Sequence, residues 1–243
     1  MDSQDIRSHI RDYYTRFFQR GQQRELPVQT GRSLARALGY PIECLDFVQE
    51  EHWRRFIPCG NPLPLISPVA GDRILNLGCG IGLDSYALSL TQGAPVDIVG
   101  MDVVFGILRE AGSLSSLCKR HEATLHWICG DGLHLPFLSE SFEWVIMNGV
   151  FNLFPEKNAL LREVRRALKP SGRFVCSDLC RALPLPDYFI EEPDSWAWCM
   201  SGAATEEELA ALMEESSFEL LGLIKEEEED MLYRVTFTCG KTT

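Results

Sequence analysis

RILNLGCGIGLDSYALSL, residues 73–90, is the stretch on which the fold turns. Arg73–Leu77 reads as a short apolar strand, Gly78-Cys79-Gly80-Ile81-Gly82 as a turn, and Leu83–Leu90 as a helix. Glycines between a strand and a helix permit a tight turn, and the missing Cβ lets a ligand approach the backbone.

Downstream the pattern repeats. Val96–Met101 is a second strand ending at Asp102, and Val103–Arg120 a second helix. Thr124–Cys129 is a third strand ending in Gly130-Asp131-Gly132, and Phe142–Met147 a fourth ending in Asn148-Gly149. Glu156–Leu168 reads as a helix closed by Lys169-Pro170-Ser171-Gly172, before a fifth strand at Arg173–Ser177. Thr205, with Glu208 three residues on, signals a capped helix to about Ser217. Phe218–Lys225 and Met231–Cys239 follow as strands joined by an acidic turn, Glu226–Asp230. This alternation predicts an α/β fold: a doubly wound, mostly parallel seven-stranded sheet, Rossmann-like, with helices on both faces. Ligands bind such sheets beyond the carboxyl ends of the strands, so the residues just after each strand are the informative ones.

Upstream, residues 1–20 read as an amphipathic helix with Ile6, Ile10, Tyr13, Tyr14, Phe17 and Phe18 near helical spacing. Residues 21–72 are irregular, punctuated by Pro27, Pro41, Pro58, Pro62, Pro64 and Pro68, with a short helix near 43–55. The expected organisation is an N-terminal helical cap or lid at 1–70 and a ligand-binding domain at 71–243. The proline-rich stretch about 179–204 forms a lid insertion within that domain.

A chain of 243 residues suits one such domain with its cap. Its net charge of −12 repels phosphate backbones and argues against a nucleic-acid partner. The acidic runs at Glu206–Glu208, Glu214–Glu215 and Glu226–Asp230 read as solvated faces and a hairpin tip. No apolar run approaches the roughly 18 residues of a membrane span, so no membrane partner is expected. The opening MDSQDIRSHIRDYY is too polar for a secretory signal. Nine cysteines (Cys44, Cys59, Cys79, Cys118, Cys129, Cys176, Cys180, Cys199 and Cys239), an odd number without a CxxC pair, predict reduced thiols and a cytoplasmic location rather than disulfides or a zinc knuckle.

The chemistry lies after the strands. Asp102 follows Gly82 by twenty residues, where a carboxylate can accept hydrogen bonds from both hydroxyls of an adenosine ribose. A dinucleotide fingerprint wants its third small residue where Leu83 stands; here the third glycine comes one position earlier, as Gly82. That spacing suits a nucleoside lying along the loop better than a pyrophosphate on a helix N-terminus. Asp131 can accept from an adenine amino group, with Gly132 allowing close approach. Asn148, a polar end to an apolar strand, is a candidate pocket-floor residue, although Asn-Gly also suits a plain turn. Together these point to S-adenosylmethionine, whose sulfonium methyl is already activated; the protein need only align a nucleophile in a dry pocket. A soft nucleophile needs no base. For a hydroxyl or ammonium, His126 and His134 are the histidines near the working edge.

These motifs resemble the class I methyltransferases, matched by Leu75–Gly82, Asp102, Gly130–Asp131 and LREVRRALKPSG at 161–172. More narrowly the chain resembles the arsenite methyltransferases, through Tyr13-Tyr14, Leu38-Gly39-Tyr40-Pro41, Cys59-Gly60-Asn61-Pro62, Asp84, the Asn148–Leu153 stretch with Pro155-Glu156-Lys157, and Trp198–Ala203. The resemblance implies that the glycine loop takes the methionine end, Asp102 the ribose, and Asp131 with Gly132 the adenine. The expected cofactor-binding set is Gly78, Cys79, Gly80, Gly82, Asp84, Asp102, Val103, Gly130, Asp131, Gly132 and Asn148.

That family binds trivalent arsenic through thiolates. Cys59 and Cys199 keep two of those positions and, with Asn148, are the catalytic candidates; the same two thiols are the candidate ligands should a soft ion be bound, no resident metal being expected. Gly149 replaces the thiol of the fourth-strand motif, and Thr30–Ser33 lacks the early cysteine; Cys180 or Cys44 could substitute. Three readings stay open: methyl transfer to a small organic acceptor under a lining of Phe151, Phe154, Tyr188, Phe189, Trp196 and Trp198; methylation of arsenite or another soft metalloid; and S-adenosylmethionine binding without catalysis.

Overall fold

The computed structural model describes residues 2–20, 30–91, 93–116, 123–187, 189, 192–225 and 231–242. Pro27, Cys118, Tyr188, the end of the second predicted helix and the acidic turn Glu226–Asp230 lie outside the described residues.

Seven strands form one sheet: β1 Arg73–Leu77, β2 Asp97–Asp102, β3 Thr124–Cys129, β4 Phe142–Asn148, β5 Leu168–Arg181, β6 Phe218–Lys225 and β7 Leu232–Lys241. Their order is β3-β2-β1-β4-β5-β7-β6. β7 runs antiparallel to both its neighbours and the other pairings are parallel. The helices are α1 Ser3–Arg20, α2 Gly31–Ala37, α3 Ile42–Phe47, α4 Glu50–Trp53, α5 Leu83–Thr91, α6 Phe105–Ser116, α7 Lys157–Ala167, α8 Pro193–Ala197 and α9 Glu206–Glu215. The expected doubly wound sheet is therefore present, and the predicted capping box closes α9 between Thr205 and Glu208.

Alternation along each strand divides the core between two faces. Ile74, Ile98, Ile146 and Val175 pack on the face that carries α5 and α6. Leu75, Val99, Val145 and Phe174 pack on the face that carries α7 and α9. Trp53, Tyr40 and Leu45 are buried in the first of these clusters, so the segment after residue 30 shares its core with the sheet. α1 lies across the carboxyl edge and packs on α8: Tyr14 donates to the Ala197 carbonyl at 2.8 Å and Trp198 to the Tyr13 hydroxyl at 2.9 Å.

Several boundaries differ from the sequence expectation; the second helix starts at Phe105 rather than Val103, and the fifth strand runs on to Arg181, into the expected insertion at about 179–204. The single helix near 43–55 is two, because Val48 takes an extended conformation and its carbonyl accepts from Arg32 and Trp53 side chains. The fifth strand begins at Leu168 rather than Arg173: Leu168 pairs with Phe142, and the register then jumps to Arg173 opposite Trp144. The predicted Lys169–Gly172 turn survives as a bulge within the strand.

The register sets the working edge. Leu77 pairs with Met101, Asp102 with Cys129, and Asn148 with Ser177. Strand order reverses between β1 and β4, so the crevice of a doubly wound sheet opens beside Gly78 and Asn148. Gly82 has a different task. Its φ is +81°, and a Cβ there would stand 2.3 Å from the ring of Trp127, which also lies 2.3 Å from the Cβ direction of Gly100. Gly82→Ala combines a left-handed backbone with a ring clash and is expected to cost about 2–4 kcal/mol; urea unfolding of the purified variant measures it.

Candidate active site

A cavity of about 360 Å³ lies between the carboxyl edge of the sheet and α1. Its floor is made by the turn after β1, by the ends of β2, β3 and β4, and by Asp84; Arg7, Arg11, Tyr14 and Phe18, on one face of α1, contribute to its roof. Gly78, Cys79, Gly80, Asp84, Asp102, Val103, Gly130, Asp131, Gly132 and Asn148 all line it. Gly82 is not part of the wall, because it faces Trp127.

The turn is closed by Asp102. One carboxylate oxygen accepts from Gly80 N at 2.9 Å and the other from Val104 N at 2.9 Å. An ionised carboxylate offers about four lone-pair directions, so acceptor capacity remains on the cavity side. Burial raises this carboxyl above its ordinary range, opposed by those backbone donors. Gly78 takes φ +73°, and a Cβ there would strike Val150 at 2.5 Å, so the sharp turn needs glycine on both counts. Asp131 accepts from Leu133 N at 2.9 Å and faces Arg7 at 3.6 Å; Arg7 also reaches Glu156 at 3.4 Å, which ties α1 to the rim.

A polar cluster that sequence reasoning missed lies at the inner end. Tyr40 donates to Asp84 at 2.5 Å. The Asn148 amide nitrogen donates to the Tyr40 hydroxyl at 2.9 Å and to the Gly60 carbonyl at 3.1 Å, and lies 3.3 Å from Asp84. The Asn148 carbonyl accepts from Cys59 N at 2.9 Å and Gly60 N at 3.2 Å. Burial lifts Asp84 to about 6, against the pull of Tyr40 and Asn148. The Tyr40 motif was visible in the sequence, but nothing there paired it with a residue 44 positions away.

Beside this end is a chamber of about 40 Å³ whose wall includes Tyr13, Tyr14, Cys59, Gly149, Trp198 and Cys199. Tyr14 lines both cavities. The sulfurs of Cys59 and Cys199 and a carboxylate oxygen of Asp178 all lie within 4.8 Å of one another. The Cys199 thiol donates to the Gly149 carbonyl at 3.2 Å. Its pKa is raised by its hydrogen bond with Cys59 and by burial, and burial also raises Asp178. Burial pulls the nearby Lys157 ammonium down to about 8, opposed by Asp178 and Cys199.

The expected substitutes for the missing thiol do not arrive. Cys44 belongs to the core on the α5 face and Cys180 to the core on the α7 face. Gly149 leaves no gap for aromatics, since its Cβ direction meets the Ile57 carbonyl at 3.1 Å and Cys59 Sγ at 3.2 Å. The aromatic lining is also reduced. Phe151 is a core residue packed on Phe174 and Phe237, Phe154 borders the larger cavity, and Trp198 borders the chamber. Phe189 and Trp196 line neither cavity. His126 and His134 are exposed and line neither cavity. Asp178, one residue beyond the predicted fifth strand, lies within the observed one and pairs there with Val235.

The raised Asp84 has a signed consequence. The folded chain holds its proton above the ordinary value of 3.8, up to about 6. Stability from this group is full below 3.8 and falls as pH rises to about 6. Relative to Asp84→Asn, the natural chain should lose on the order of 2–3 kcal/mol across that window and change little above it. Urea unfolding of both proteins at a series of pH values reads the difference.

A family model described as a methyltransferase domain matches residues 68–217. The arsenite methyltransferase of Halobacterium salinarum is 32% identical over 170 residues, covering 70% of this chain and 43% of that protein. The demethylmenaquinone methyltransferase of Lactiplantibacillus plantarum is 28% identical over 148 residues, covering 60% of this chain and 57% of that protein. The chain thus spans about half the length of these curated relatives. The crystal structure of an arsenic(III) S-adenosylmethionine methyltransferase from Chlamydomonas reinhardtii superposes with a TM-score of 0.70 at 25% identity, covering 83% of this chain and 73% of that one. The chain therefore belongs to the methyltransferase-domain family, on the class I S-adenosylmethionine-dependent fold, and resembles the arsenite methyltransferases.

Proposed function

We propose that this chain transfers the methyl group of S-adenosylmethionine to a small acceptor held in the thiol chamber. The observation that carries the reading is the meeting of two cavities at Tyr14, one walled by the residues that end β1 to β4 and the other by Cys59 and Cys199. The residues present fit the cofactor. Asp102, held by two backbone donors, keeps lone pairs for ribose hydroxyls. The bare backbone at Gly78 and Gly80 admits the methionine end, and Asp131 with Gly132 suits the adenine. When bound, the cofactor supplies a methyl on a sulfonium, already activated for a soft nucleophile.

The chain's own part is alignment and enclosure. Asn148 ties Asp84, beside the glycine turn, to the backbone of Cys59, so cofactor wall and acceptor wall form one hydrogen-bonded unit. α1 and the stretch around α8 act as lids: His9 reaches Asp194 at 2.9 Å, and the Arg7 ion pairs fasten α1 over the cavity. No helix among the described residues is long and apolar enough to cross a membrane. A surface carrying −12 favours a small acceptor over a nucleic acid.

The converging thiols, and the activity for which the Halobacterium relative is named, make a trivalent metalloid such as arsenite the first acceptor to test. Gly149, which brings no third thiol, favours the second reading, a small organic acceptor that inserts only a group of a few atoms into the chamber. Asp102→Ala should weaken S-adenosylmethionine binding about tenfold or more, because two hydroxyls lose a charge-assisted partner; unchanged affinity by calorimetry would count against the cofactor site. With labelled S-adenosylmethionine and arsenite, the metalloid reading expects labelled methylarsenic from the natural chain and none from Cys199→Ser. Label passing instead to a component of a small-molecule extract, in both proteins, supports the organic reading.

A further inference from the structure

We propose that Cys59, Cys199 and Asp178 form a binding site for one thiophilic divalent cation of the zinc class. Their three donor atoms lie within 4.8 Å of one another, and tetrahedral zinc with bonds of about 2.0–2.3 Å holds its donors about 3.3–3.8 Å apart, so a small contraction suffices. The donors come from three distant parts of the chain: the loop after α4, the end of β5 and the turn after α8. Tertiary structure, not local sequence, brings them together.

Each donor is held from behind. Asp178 accepts from Asn152 N at 3.1 Å, from the Asn152 amide at 2.9 Å and from Leu179 N at 2.8 Å, the kind of outer support that orients a ligating carboxylate. Asn148 fixes the backbone nitrogen of Cys59 at 2.9 Å. Cys199 sits in the left-handed region at φ +62°, and its turn is pressed onto Asn152 so closely that a Cβ on Gly202 would stand 2.0 Å from the Asn152 carbonyl. Asn152 therefore braces the Cys199 turn and the Asp178 carboxylate together.

The donor set also selects the ion. A soft trivalent metalloid is best served by thiolates alone, whereas zinc accepts two sulfurs and an oxygen without penalty. Asp178 is 1% exposed and Cys199 3%, and the nearby Lys157 ammonium offsets only part of the charge that two thiolates and a carboxylate would carry together. Three protein ligands leave one position of a tetrahedron free. The chamber of about 40 Å³, walled by both cysteines though not by Asp178, has room for water or another single donor atom. The assignment rests on this donor geometry and not on the methyl-transfer reading.

The test is titration of the reduced full-length chain with Cd²⁺, whose thiolate charge-transfer absorption reports sulfur ligation, followed by displacement with Zn²⁺. One Cd²⁺ per chain is expected, with the absorption of two thiolates. Cys59→Ser and Cys199→Ser should each halve that absorption and weaken binding about tenfold or more, while Asp178→Asn keeps the absorption and weakens binding about tenfold. Cys129→Ser, at an exposed thiol outside the cluster, should change nothing. S-adenosylmethionine binding, measured in parallel, confirms folding and separates failure of this site from failure of the cofactor site. Folded chain without saturable Cd²⁺ binding, or Cys59→Ser and Cys199→Ser chains that bind as the natural one does, would overturn the proposal.

Discussion

The side-chain amide of Asn148 is the tie on which both cavities depend. It is the last residue of β4, at the point where strand order reverses, and both ends of its amide are engaged. The oxygen takes two backbone N–H groups from Cys59 and Gly60; the nitrogen serves Tyr40, the Gly60 carbonyl and Asp84. A buried polar network is stiff when its members are satisfied and costly when they are not. Here the same network docks the irregular N-terminal segment onto the sheet and fixes the backbone that carries a thiol. Gly60 shows how close that docking is: a Cβ there would meet Ser177 at 2.9 Å and Thr236 at 3.0 Å.

The sheet makes this possible by register alone. Parallel pairing places Leu77 beside Met101 and Asn76 beside Ile146, which aligns the ends of β1, β2 and β4 along one edge. The glycine turn, Asp102 and Asn148 then share a wall without any long side chain reaching across. What closes the wall from above is α1, whose inward face repeats at Arg7, Arg11, Tyr14 and Phe18, the spacing of a helix side. The aromatic half of that face is anchored in the core through Phe17 and Phe18, while Arg7 bonds the rim by ion pairs. Ion pairs at a partly exposed rim are weak. What holds this end of α1 down is Ile6 and Ile10, buried against Ala197 of α8.

Most of the strands, and the residues that end them, were legible in the sequence, because a buried parallel strand is an apolar run and the residue that breaks the run is conspicuous. Asp102, Asp131 and Asn148 all declared themselves in this way. Gly82 did not: its glycine is required by Trp127, a contact across 45 positions that no local pattern encodes. Phe151 was read as pocket lining, yet the 3-10 turn at Phe151–Leu153 aims it into the core against Phe174 and Phe237. Tyr40 and Asp178 escaped as site residues for a related reason. Each gains its meaning only from a partner brought by topology, Asp84 in one case and the two thiols in the other.

Gly149 shows why the thiol chamber differs from a three-thiol site by more than one missing atom. Its φ of +67° lies where an L side chain is disfavoured, and its Cβ direction is already occupied by the Ile57 carbonyl and the sulfur of Cys59. A cysteine restored at this position would meet backbone strain and displace the loop that bears Cys59. The glycine therefore does not leave a vacancy. It lets Cys59 close toward β4, where its sulfur comes within reach of Cys199 and of the Asp178 carboxylate at the end of the next strand. The chemistry of the chamber therefore follows from what this backbone brings together, two sulfurs and one carboxylate oxygen, more than from the count of cysteines.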